Sequence, residues 1–179
     1  MTVKTAIFID GVYLGKFQLQ KSKPLNFEKL NDELTKGDFR VRTYYYTCMP
    51  YLSNPPTKQE QELYNRVEKF HEAIDKIPRF EIKLGRLQKI GGKFTQKGVD
   101  MQLGVDMVQM STSKQIDKAI LIANDSDFVY AIEKAKSAGV VTTLVYFSDD
   151  EINPSLVKAA DEKIKIDDAF VTKCQFIKK

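Results

Sequence analysis

Thr5-Ala6-Ile7-Phe8-Ile9-Asp10-Gly11 is a nearly continuous apolar run that stops at an acid and a glycine. Without polar alternation, such a run suits a strand buried on both faces, as in a parallel sheet covered by helices on both sides. The pattern returns at Ala119-Ile120-Leu121-Ile122-Ala123, which stops at Asn124-Asp125-Ser126-Asp127. Two buried strands ending in acid frame the reading of the whole chain as α/β.

Working outward, Phe39 to Tyr46 is rich in aromatic and β-branched residues and reads as a second strand. Asn26 to Lys36 reads as a helix closed by Gly37, and Pro50 to Pro56 as a loop. From Thr57 to Ile77, Leu63, Val67, Phe70 and Ile74 recur at helical spacing, with Glu60, Glu62, Arg66, Glu68 and Lys69 on other faces. Pro78 ends that amphipathic helix, and Phe80 to Leu87 returns as a strand. Gly91-Gly92, between Arg86–Ile90 and Lys93–Gln96, predicts a small hairpin or flap. Asp100 to Met110 carries a helical stripe of Leu103, Met107 and Met110. A helix then runs from the Asp-rich turn to Ser137, Gly139 stops it, and Val140 to Phe147 is the next strand. Pro154 to Lys165 adds a short helix and an edge strand. Strands alternating with helices imply right-handed crossovers and a three-layer αβα sandwich around a mostly parallel sheet. With no repeat, low-complexity tract or linker, residues 1–179 read as a single domain.

Bulk composition narrows the class further. A chain of 179 residues, 42% hydrophobic and 29% charged, suits one well-packed soluble domain. No apolar run approaches the ~20 residues that span a bilayer. Met1 to Asp10 leaves no room for a cleavable leader, so a cytoplasmic location is expected. Cys48 and Cys174 are too few for a disulfide scaffold or a four-thiolate zinc site. A net charge of +4 and a pI near 8.9 accommodate a polyanion partner without requiring one.

The acids at strand ends carry the chemistry. Ligands of open parallel sheets bind outside the carboxyl ends of the strands, near the point where strand order reverses. Asp10, Asp125 and Asp127 follow strand ends, and Asp100 follows Lys97-Gly98-Val99 at the start of a helix, so all four are expected around one point. Each also has a plainer reading. Asp10, Asp125 and Asp127 can cap turns or helices, and Asp100 can offset a helix dipole. Asp106 lies off the Leu103 stripe and reads as solvated. Several carboxylates in one cleft repel unless a cation or shared protons intervene. Oxygen-only ligands favour Mg²⁺ or Mn²⁺. Zinc is disfavoured, since the one histidine, His71, reads as a solvated flank of the long helix.

Three blocks make the chain recognisable. Phe8-Ile9-Asp10-Gly11-Val12-Tyr13-Leu14, then Gln96-Lys97-Gly98-Val99-Asp100 followed by Leu103 and Asp106, and Asn124-Asp125-Ser126-Asp127-Phe128 resemble the signature blocks of NYN domains. The likeness is to the bacterial LabA-like group within the PIN-like superfamily, and it runs from about Lys4 to about Ala169, with Ser155-Leu156 and Ala160-Asp161 resembling the last block. The resemblance implies a PIN-like αβα sandwich and a metal-dependent RNA-cleaving site. Asp10, Asp100, Asp125 and Asp127 would be its metal-binding and catalytic set, with Asp106 in an outer shell. Two positions depart from the pattern: Tyr13 stands where many members have Asn, and Asn124 where the block commonly has Gly. Both border the expected site. Lys97 reads either as a phosphate contact at the rim or as an exposed lysine. Arg86, Lys89 and Lys93 on the flap offer a basic surface for RNA, with Phe94 for stacking on bases. PIN-like domains often pair, and the aromatic strand Phe39–Tyr46 offers a surface for a homodimer.

Two functions follow as expectations. The leading one is a Mg²⁺- or Mn²⁺-dependent ribonuclease; the alternative, prompted by Tyr13, is a catalytically weak or inactive RNA-binding regulatory module of the same fold. A haloacid-dehalogenase-like phosphohydrolase also opens on a strand ending in Ile-Asp-Gly, but it needs a second Asp where this chain has Val12.

Overall fold

The computed structural model describes residues 2–21, 24–91 and 93–176, and leaves the side chains of residues 19–21, 89, 90 and 93 outside the description. In chain order, β1 (Lys4–Asp10) runs into α1 (Gly11–Lys21), followed by α2 (Phe27–Leu34), β2 (Phe39–Thr47), α3 (Lys58–Asp75) and β3 (Phe80–Leu84). A hairpin of β4 (Arg86–Ile90) and β5 (Lys93–Lys97) leads to α4 (Val99–Thr112) and β6 (Lys118–Ile122). A 3-10 turn (Ser126–Phe128), α5 (Val129–Ser137), β7 (Val141–Phe147), α6 (Pro154–Ala159), β8 (Glu162–Ile166) and α7 (Asp168–Lys173) complete it.

Six strands form one sheet in the order β3-β2-β1-β6-β7-β8, every neighbouring pair parallel. Its core splits by the two-residue period of the strands. Ala6 and Phe8 of β1, Tyr46 of β2 and Ala119 and Leu121 of β6 pack with Leu103, Met107, Ala131 and Leu156 from α4, α5 and α6. Ile7 and Ile9, Tyr45, and Ile120 and Ile122 pack on the opposite face with Leu14, Leu30, Ile74 and Val171 from α1, α2, α3 and α7. The result is a three-layer αβα sandwich. Each fully buried Ile, Leu or Phe contributes ~1.5–3 kcal/mol, so both faces of the sheet hold the sandwich together.

Where the expected elements shift, the cause is local. The strand expected from Phe80 to Leu87 breaks at Gly85, where a Cβ would collide with the Val99 side chain and lie 2.9 Å from the Lys97 carbonyl. The chain therefore leaves the sheet and starts the hairpin. Thr57 and Glu60 form a reciprocal capping box at the start of α3. Only the C-terminal half of α3 packs closely, since Leu63 stays 46% exposed while Ile74 is buried. His71 is buried rather than solvated, beside the Phe70 and Tyr45 rings. The aromatic strand β2 is no free pairing surface either: it lies between β1 and β3, with Tyr45 and Tyr46 buried. Among the described residues, no helix is long and apolar enough to cross a membrane.

Candidate active site

Chain direction locates the cleft. From β1 the chain moves outward to β2 and β3, then crosses back through the hairpin and α4 to β6 on the other side of β1. Strand order reverses between β1 and β6, and the carboxyl ends of those strands diverge into an open crevice there. That crevice holds about 640 Å³ and is lined by Asp10, Asp100 and Asp125, with Tyr13, Lys16, Gln96, Asn124, Asp150 and Glu151 around them.

Asp10 is the last residue of β1 and shares the parity of Ala6 and Phe8, which turns it toward the α4 side of the sheet. Its Oδ1 accepts from the backbone N–H of Val12 at 2.9 Å and of Tyr13 at 3.2 Å, capping α1. Gly11 is required beside it, because a Cβ there would sit 2.6 Å from the Tyr46 carbonyl oxygen and 2.8 Å from the Tyr45 ring. Asp125 follows β6 and caps the 3-10 turn, its Oδ1 accepting from Asp127 N–H at 3.0 Å. Asp100 is the second residue of α4, reached through Gly98 at φ +83°. Capping and cleft-lining therefore coexist: Asp10 and Asp125 each cap through Oδ1, which leaves Oδ2 for a ligand.

The acids feel one another. Burial pushes the Asp10 carboxyl above its ordinary range; backbone bonds from Tyr13 and Val12 oppose this, and the Asp100 and Asp125 charges add to it. Partial desolvation raises Asp100 in the same way, reinforced by Asp125 and Asp127. Asp127 stands on the far side of Asp100, lining a neighbouring groove that Asp100 shares rather than the crevice itself.

Asp106 is elsewhere. Its Oδ2 accepts from the Tyr46 hydroxyl at 2.9 Å and lies 3.9 Å from Lys83 Nζ, in a separate depression between α4 and the β2–β3 edge. An outer-shell place around the acids does not fit that position. Lys97 and Arg86 face each other across the base of the hairpin, exposed and outside the crevice. The side chains of Lys89 and Lys93 lie outside the described residues. Phe94 is 53% exposed and its ring meets Tyr51 at 5.1 Å between centroids.

The two departures from the family pattern have structural work. The Tyr13 hydroxyl accepts from Phe147 N–H at 3.2 Å and its ring packs on Phe147. Burial raises its phenol well above the ordinary value, and the neighbouring Asp150 and Asp10 charges add to the rise. Asn124 donates to the Glu151 carbonyl at 3.0 Å and accepts from Asn153 N–H at 2.8 Å, stitching the loop after β7 to the loop after β6. That loop brings Asp150 and Glu151, which sequence reading passed over. The signal was available: Asp149-Asp150-Glu151 follows a third buried strand on the same sheet edge. Gln96 opens the second signature block without having been read as a site residue, and Lys16 carried no such signal, since only the turn of α1 delivers it to the crevice.

No group of three or more His, Cys, Asp or Glu side chains among the described residues is arranged to hold a metal ion. The donor chemistry nevertheless fits a hard divalent cation, because Mg²⁺ is commonly held by one or two carboxylates, with water and substrate phosphate completing the shell.

The NYN domain family matches residues 4–167. This chain belongs to the NYN family. A crystal structure of a protein of unknown function from Vibrio parahaemolyticus is similar at a TM-score of 0.71 and 19% identity, over 94% of this chain and 96% of that one. It shares the fold of this NYN domain. Nicotinic acid mononucleotide adenylyltransferase of Plasmodium falciparum, complexed with NaAD, aligns at a TM-score of only 0.38 and 13% identity, over 92% of this chain and 74% of that one. No curated relative matches. Family membership makes the fold nuclease-like.

Proposed function

We propose that this NYN domain, of the LabA-like group, is a Mg²⁺- or Mn²⁺-dependent ribonuclease that hydrolyses RNA phosphodiester bonds in the crevice between β1 and β6. The observation that carries the reading is the convergence of Asp10, Asp100 and Asp125 on one crevice, where burial chiefly, and the charges of Asp100 and Asp125 in addition, raise Asp10. Like charges held together in the absence of a cation are a standing cost, and a divalent ion relieves it. One or two of Asp10, Asp100 and Asp125 would ligate the ion directly, with water and substrate phosphate completing its shell, and Asp127 would add negative charge beside Asp100. When bound, the ion supplies an activated water and stabilises the charge of in-line attack at phosphorus. Lys16, a cation on the crevice wall, would orient the scissile phosphate. Arg86 and Lys97 oppose each other on one hairpin face, an unfavourable pair that an RNA backbone would neutralise.

A second reading, an RNA-binding module with little or no turnover, draws on one observation. The Tyr13 hydroxyl accepts from Phe147 N–H and is hydrogen-bonded to the Asp150 carboxylate, so the crevice meets a phenol where the family's Asn would offer an amide. Calorimetric titration of Mg²⁺ and Mn²⁺ into the wild type and Asp125→Ala, with a labelled RNA pool incubated alongside, separates the two. Metal binding lost in the variant, with cleavage by wild type only, is the expected result. RNA and metal binding without cleavage supports the module. Cleavage retained in both Asp10→Ala and Asp125→Ala sinks the assignment of the acids.

A further inference from the structure

A second groove begins where the crevice ends. It runs between α4 and α5, holds about 650 Å³, and is floored by Gly104 and Ala131, with Met101, Val105 and Tyr130 along it. That volume is within the range of single-ligand sites. Met101 is 74% exposed, Val105 56% and Tyr130 66%, a concentration of apolar surface that the fold leaves uncovered. Asp100 lines both the groove and the crevice, so the two are continuous through one proposed catalytic acid.

Gly104 is the telling residue. A glycine inside a helix costs roughly 0.5–1 kcal/mol relative to alanine. Packing does not demand it, since a Cβ at position 104 would meet only the Ala131 Cβ at an ordinary 3.8 Å. What the missing side chain provides is depth in the groove floor. At the wall, Tyr130 presents an aromatic ring with Lys134 Nζ 5.0 Å from its centroid.

We infer that this groove is a nucleobase subsite: it takes the base next to the scissile phosphate of an RNA strand, stacked on Tyr130 and seated over Gly104. The inference rests on the ribonuclease reading above. Continuity through Asp100 places the groove directly beside the crevice. An apolar groove with an aromatic wall suits the π-face of a base, which single-strand binders recognise in the same way. Its acidic end, Asp100 and Asp127, disfavours a phosphate lying in the groove itself. A second copy of the chain is a poorer occupant. Stable dimers bury ~800 Å² per partner over some 20–30 residues, whereas the strongly exposed apolar side chains here are Met101, Val105 and Tyr130.

The chain contains no tryptophan, so Tyr130→Trp installs a unique fluorophore at the groove wall. A short end-labelled oligoadenylate is added with EDTA and again with Mg²⁺, read within seconds of mixing, following indole emission and label anisotropy together. Anisotropy should rise with quenching of the indole. Adding Gly104→Leu, which fills the floor, should abolish quenching and weaken affinity about tenfold, the order of one stacked base, with circular dichroism unchanged. An anisotropy rise without quenching overturns the base subsite and leaves the ribonuclease reading standing. No anisotropy change with any RNA overturns both. Indole emission that shifts with protein concentration alone, before RNA is added, assigns the groove to a second copy and overturns the inference.

Discussion

Asp10 shows how one side chain can cap a turn and line a cleft at a cost. Its Oδ1 caps α1 and holds the turn after β1, while its half-buried charge lies near two other acids. A carboxyl whose folded pKa is raised binds its proton more tightly in the native state than in the unfolded one. Stability therefore falls as pH rises from the unfolded value of 3.8 through the raised folded value, and the full cost is present at neutral pH. Asp10→Asn keeps an oxygen for the cap and removes the charge. It should unfold at a higher temperature than wild type at pH 7, lose that advantage as pH drops below the unfolded carboxylate range, and lose metal binding. A lower melting temperature at pH 7 would count against a net cost of the Asp10 charge from burial and its acidic neighbours. Asp106 illustrates the opposite case, an acid in a signature block whose partner is structural. Tyr46→Phe removes the hydroxyl that donates to it and should cost about 1–2 kcal/mol in urea unfolding, leaving divalent-metal affinity unchanged.

Among the elements, the loop after β7 depends most on a single residue. Asn124 gives it a donor and an acceptor, which fix Glu151 and Asn153 and so place Asp150 and Glu151 on the crevice wall. Asn124→Ala should lower stability by about 1–2 kcal/mol, at ~1 kcal/mol per hydrogen bond. Hydrogen exchange at Asn153 should rise ahead of exchange in β6. Exchange that rises equally in both would mean that the loop does not open by itself. The α4 helix tests the groove from the stability side. Gly104→Ala should raise stability by roughly 0.5–1 kcal/mol in thermal or urea unfolding, because the added methyl has room and helix propensity improves.

At the scale of the molecule, the crevice holds acids whose charges oppose one another, and under the proposed function a divalent cation would offset them. Divalent metal should therefore stabilise the whole domain. At a hundredfold excess over Kd, linkage gives about 2.7 kcal/mol, which for a chain of this size is a rise of roughly 5–10 °C in melting temperature. Thermal scans with Mg²⁺, Mn²⁺ and a matched monovalent salt check it, with Asp125→Ala as the variant expected to lose the shift. Equal shifts from the monovalent salt would mean screening of charge rather than binding.

Much of this was legible in the sequence, because buried parallel strands are local signals. Thr5–Ile9, Ala119–Ala123 and Val140–Phe147 declare themselves by apolar continuity, and β1, β6 and β7 follow them closely. Asp10, Asp100 and Asp125 were legible as well, since strand ends and the start of a crossover helix share one edge of a parallel sheet. Helix α1 was not, because Gly11 and Gly15 mask a segment that forms by burying Leu14 and Phe17 against the sheet. Nor was the fate of Asp106 and Asn124, whose partners stand 60 and 27–29 residues away. Local pattern fixes which residues are strand, helix and turn, since it depends on periodicities of two and 3.6 residues. Which acid meets the crevice, which meets a tyrosine and which groove stays open depend on long-range packing, and only the assembled sheet decides those.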